Sequence, residues 1–162
     1  MRKLWISAAL LSALLTASCK NDTGETSTEN LREEVKFKHE ADLVIMRSGK
    51  TIKNLKVELA DNAFETETGL MYRTSMEEDH GMLFVFQEVR ERFFYMKNTE
   101  IALDILYIGE DMEIKKIAAN AQPMDETSIP SGEPVKYVLE VNAGMTSKWG
   151  VEKGDSISYQ TL

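Results

Sequence analysis

The chain has 162 residues, 43% of them hydrophobic and 28% charged, with a formal net charge of −8. That is enough chain for one domain with a real core and too little for two comfortable ones. The acidic balance excludes a surface built to grip nucleic-acid phosphates, so no nucleic-acid partner is expected, and two histidines and one cysteine limit metal and nucleophile chemistry.

The N-terminus reads MRKLWISAALLSALLTASC. Arg2 and Lys3 precede an apolar segment from Leu4 to Leu15, and small residues run into Cys19. A basic start, a short apolar stretch and a small-residue cleavage site make a secretory signal. The apolar stretch is too short for a membrane-spanning helix, which needs about 20 residues. LTASC resembles the signal of a bacterial lipoprotein, in which the chain is cut before the cysteine and the thiol receives lipid. Thr16 departs from that pattern, which favours Leu there. The expected organisation is a signal peptide over 1–18, then lipidated Cys19 and a flexible acidic tether over 19–34. The membrane is then a partner through the anchor at Cys19, and the location is the bacterial envelope, at the outer membrane. With Cys19 lipidated, the mature domain has no free thiol, and cysteine catalysis and disulfides drop out together.

KNDTGETSTENLREE has a single large apolar residue, Leu31, and cannot bury enough surface to fold. A single β-rich domain is expected over 35–162. ADLVIM reads as a strand, RSGK as a turn, and LKVELA as a strand with Leu55, Val57 and Leu59 on one face. Asp61 can cap a short helix running through Glu67, with Gly69 ending it. Strands follow at GMLFVF, RFFYMKN, IALDILYI, EIKKIAAN and KYVLEV. A second short helix is expected from Thr146 to Trp149, and Gly154 and Asp155 turn the chain into a last strand, SISYQ. Many strands, two short helices and no alternation of strand and helix predict a mostly β fold, an antiparallel sandwich or barrel.

Several blocks resemble one family. GLMYR (69–73), HGMLFVF (80–86), FYMKNTEIALDILYI (94–108), YVLEVNAG (137–144) and GVEKGD (150–155) stand in the order found in the bacterial and archaeal domain of unknown function 192. The resemblance runs from about Leu55 to Tyr159. It implies a compact, jelly-roll-like β domain, often exported, and no assigned activity. Many relatives carry cysteines in the loop that here reads NAQPMDETSIPSGEP, which has none, so the resemblance brings no thiol or disulfide role.

The most unusual polar residue is Asp104, inside the apolar run IALDILYI. On a strand it shares a face with Ala102, Leu106 and Ile108, and a carboxylate buried there requires a partner or a neutral form. Arg73, Lys97 and Asn98 are candidate partners, and Arg73 has the planar fork that matches a carboxylate. Two readings stand side by side. Asp104 is a staple that accepts hydrogen bonds from Arg73 or from backbone N–H groups. Alternatively, Arg73, Lys97, Asn98, Thr99 and Asp104 surround a site for a small polar ligand.

Met71, Met82 and Met96 sit at core-like positions, yet His80 and Met82 form a pair of the kind that binds copper. A hydrolytic site would need His80, which lies in a turn-like EEDHG segment. The expectation is a non-catalytic envelope domain that needs no cofactor and binds a small polar ligand, a glycan or an envelope protein. A copper-binding protein using His80 and Met82, and an envelope hydrolase, are the alternatives.

Overall fold

The structure, a computed structural model, describes residues 35–162. The expected signal segment, Cys19 and the tether lie outside the described residues. Strand β1 (Ala41–Arg47) alternates in sequence and in burial, with Ala41, Leu43 and Ile45 fully enclosed. Ser48 and Gly49 both take positive φ, 49° and 75°. This is the mirror-image two-residue turn whose twist matches a hairpin, and it returns the chain into β2 (Lys50–Ala60).

Helix α1 (Ala63–Thr68) begins one residue later than the sequence suggests, because Asn62 rather than Asp61 accepts the N–H of Glu65, at 3.0 Å. Gly69 ends it as expected. Next comes β3 (His80–Arg90). The expected strand RFFYMKN shrinks to the two residues of β4 (Phe93–Phe94), which pair only with β7 (Ile129–Pro130). Of its three aromatics only Phe94 packs onto a sheet face, while Phe93 and Tyr95 are exposed. Strands β5 (Leu103–Ile108), β6 (Ile114–Ala121) and β8 (Val135–Asn142), helix α2 (Met145–Trp149) and strand β9 (Ser156–Thr161) complete the domain.

The fold is mostly β with two short helices, as the sequence predicts. Its main sheet has seven strands in the order β6-β5-β8-β3-β2-β1-β9. It is mixed rather than wholly antiparallel: β2 and β3 run parallel, from Lys56 beside His80 to Ala60 beside Phe84. Two parallel neighbours cannot be joined by a tight hairpin, so residues 61–79 form a crossover that passes over the sheet. The sheet curls until its edges touch at one bridge, Glu113 to Ser156, and stops short of a closed barrel.

Both faces of the sheet are covered. Leu43, Val57, Leu83, Leu106, Leu139 and Ile157 form one cluster with α2 against it. Met82, Phe84, Phe86, Ile105, Tyr107 and Val138 form the other, beneath the crossover and the β4 segment. Every residue of β5 is therefore buried, which is why IALDILYI reads as a nearly continuous apolar run.

Candidate functional site

Asp104 is completely buried on the α2 side of the sheet. It accepts the Thr146 N–H at 3.0 Å, the Thr146 hydroxyl at 2.6 Å and the Asn120 N–H at 2.9 Å. Arg73 is not among its partners. It lies on the opposite side, where its guanidinium meets Glu58 at 2.6 Å, both side chains less than a tenth exposed. Among the described residues, Glu58 Oε1 and Arg73 Nε of that pair have no hydrogen-bond partner. Two of the five candidates are thus separated by the sheet itself.

The remaining three lie on the segment after β4. Lys97 is exposed. Asn98 takes φ of 55°, a left-handed conformation asparagine tolerates, and its amide donates to the Tyr72 hydroxyl at 3.0 Å. Its carbonyl accepts the Tyr72 N–H at 2.8 Å, which ties GLMYR to MKNT. Thr99 is buried. Thr99 borders the cavity between α1 and the β4 segment.

His80 and Met82 project from the same side of β3, two residues apart. The His80 ring stacks on Phe37 at 3.7 Å and its Nε2 lies 3.7 Å from Glu77 and 3.8 Å from Asp79. Glu77, Asp79 and His80 place one ligand atom each within 4.8 Å of one another. Met82 is buried in the second cluster.

The cavity has a volume of about 340 Å³ and lies between α1, the end of β3 and the β4 segment. Phe84, Phe86 and Phe94 supply its walls, with Phe94 edge-on to Phe84 at 5.0 Å and to Tyr107 at 6.0 Å. Gly69 closes one side, where a Cβ would stand 3.1 Å from the Phe84 ring at a φ of +49°. The rim holds Arg90 and Arg92 with Glu67 and Glu91. Arg92 lies over the Phe86 ring, 3.8 Å from its centroid, and donates to the Glu88 carbonyl at 2.6 Å. Burial, and then the neighbouring Arg90, lower its pKa.

Glu140 also lines the cavity, from β8. Its neighbours across the ladders are Met82 and Ile105, both buried. Gly81 lets the backbone come close here, since a Cβ there would stand 2.7 Å from the Glu140 carbonyl oxygen. Only 5% of Glu140 is exposed, and burial pushes its carboxyl up to about 8. Among the described residues its side chain has neither a hydrogen bond nor an ion pair. A lone carboxyl in an apolar cavity with a displaced pKa is the arrangement expected of a binding or reacting group.

Glu140 and Glu58 are absent from the sequence-level candidates, and KYVLEV and LKVELA carry a weaker mark than Asp104. Each has one carboxylate between two apolar residues, but the neighbours on its own strand face include Asn142 and Lys56 respectively.

The family model DUF192, described as "Uncharacterized ACR", matches residues 44–159. Among solved structures, the chain is 47% identical to one from Sinorhizobium meliloti 1021 described provisionally as a transcription regulator, with a TM-score of 0.72. That likeness covers 78% of this chain and 97% of the other. It is 35% identical to a protein of unknown function from Novosphingobium aromaticivorans DSM 12444, with a TM-score of 0.69, over 72% of this chain and 83% of that one. No curated protein matches.

Proposed function

This chain belongs to the DUF192 family, and we propose that it is a non-catalytic binding domain of the bacterial envelope, taking a small ligand in the cavity above Glu140. The observation that carries this reading is the Glu140 carboxyl, nine-tenths buried at an aromatic cavity and without a partner among the described residues. Natural sequences retain such a group at a cost in stability where binding needs it. The cavity volume falls in the lower part of the range that holds small molecules.

The anchoring half of the proposal rests on the basic, apolar and small-residue order of MRKLWISAALLSALLTASC, with Cys19 as the lipid acceptor. A net charge of −8 opposes binding to phosphate backbones and weighs against a role in transcription like that named for the Sinorhizobium relative.

An NMR screen of the purified protein against a library of small polar and aromatic molecules tests the pocket. Shifts concentrated on Phe84, Phe94, Thr99 and Glu140 are expected. A library that leaves these four residues unmoved overturns the reading. Labelled palmitate should enter the wild-type chain and not Cys19→Ala, and equal labelling of the two removes the anchor.

A further inference from the structure

The buried carboxylates of this domain differ in one respect that points to a ligand. Asp104 has Thr146 and the Asn120 N–H, Glu58 has Arg73, and Asp155 has Arg47. Among the described residues Glu140 has no partner, and it is the one of the four that lines the cavity. The missing partner is thus one that enters from outside.

The surroundings select its charge. The faces of aromatic rings are electron-rich and attract cations, most strongly where water is excluded. Phe86 already holds the Arg92 guanidinium 3.8 Å from its centroid, so this wall accepts a flat cation. The rim is balanced, with Arg90 and Arg92 set against Glu67 and Glu91. The Glu140 carboxyl, once ionised, is therefore the unbalanced charge, and the chain's net charge of −8 favours the approach of cations.

We propose that the cavity takes a small organic cation, an ammonium or guanidinium on a ring-sized body, with Glu140 as its counter-ion. This rests on the reading of the cavity as a ligand site. With the cavity empty, the Glu140 carboxyl keeps its proton up to about pH 8. When the cation enters, that carboxyl loses its proton to solvent, the ligand keeps its charge, and the pair is neutral. Binding below pH 8 is thus coupled to release of a proton. The ionisable groups around Glu140 are Tyr107 on β5, Glu58 with Arg73 beyond Met82, and the four charged residues of the rim. Tyr107 is driven upward by burial and by Glu140, and stays protonated.

Titration calorimetry of the purified protein with phenethylammonium, phenethyl alcohol and 3-phenylpropionate decides the matter. At pH 6.5, in buffers of different ionisation enthalpy, the ammonium should bind at least about ten-fold tighter than the alcohol, with release of about one proton per site. Glu140→Gln should lose both the preference and the proton release while still holding the ring of the alcohol. Equal or tighter binding of the alcohol or the carboxylate overturns the cation. So does proton release that persists in Glu140→Gln. If none of the three probes binds, the cation falls, while the small-molecule screen separately decides whether the cavity is a site at all.

Discussion

Asp104 and Thr146, 42 residues apart in the chain, are joined twice at a single oxygen: the carboxylate Oδ2 accepts both the N–H and the hydroxyl of Thr146. Asn120 donates to the other oxygen. The carboxylate thus fixes the first turn of α2 and the end of β6 to the centre of the sheet. It lies on the side of the sheet away from the cavity.

Asp104→Asn should lower stability by about 3 kcal/mol in urea unfolding. An amide has one accepting oxygen, so its NH2 group must face either the Asn120 N–H or the two Thr146 donors. Thr146→Val, which removes only the hydroxyl, should cost about 1 to 2 kcal/mol, and Thr146→Ser less than that. A stability unchanged by Asp104→Asn would remove the staple.

Glu58 and Arg73 form the second buried anchor, between β2 and the crossover. Replacing either one alone with Met leaves a buried charge without its partner and should cost about 3 to 5 kcal/mol. Replacing both with Met should cost far less than the sum, because two desolvated groups with orphaned atoms disappear together. A double-mutant cycle measures the difference, and strictly additive losses would contradict the pairing.

Glu140 makes stability fall as pH rises. Its folded-state carboxyl titrates near 8 against 4.5 for the free side chain, so between those values the folded protein holds a proton that the unfolded chain has lost. The slope approaches about 1.4 kcal/mol per pH unit, and the loss by pH 8.5 is on the order of 5 kcal/mol. Glu140→Gln should flatten this part of the profile and be more stable than wild type at pH 8.5. Parallel pH profiles for the two proteins would show the prediction to be wrong.

Asp155 acts in the opposite direction. Its hydrogen bonds from Arg47, at 2.7 and 2.9 Å, lower its pKa, and the Glu152 N–H adds to this. The stability it contributes is present above the usual carboxylate value near pH 4 and is lost as pH falls through the depressed one. Arg47 is nearly half exposed, so the contribution is modest and weakens with salt. Asp155→Asn should reduce the steepness of acid unfolding below pH 4 and leave the alkaline side unchanged. With Glu140, this places maximum stability on the acid side of neutrality.

Much of the sheet is legible in the sequence because alternation is a local property. ADLVIMR alternates and folds as an alternating strand, and Gly49 suits the positive φ of the turn, which Ser48 also adopts although serine rarely does. The segment RFFYMKN misleads, because its aromatics look strand-forming whatever they pack against. Only Phe93 and Phe94 pair, and the rest is irregular chain. The parallel pairing of β2 and β3 is equally hidden, since no single strand records the direction of its neighbour.

The same boundary runs through the three acidic residues embedded in apolar strands. Sequence alone places Asp104 on a strand face with Ala102, Leu106 and Ile108, since side-chain direction follows a period of two, whereas the burial of Glu58 and Glu140 emerges only in the fold. Sequence alone also sets the acidic balance and the pattern of the N-terminus. Tertiary structure decided what each carboxylate meets there: Arg73 for Glu58, Thr146 and Asn120 for Asp104, and a cavity wall for Glu140. A strand sets the direction of its own side chains, but whatever faces them is brought by distant parts of the chain.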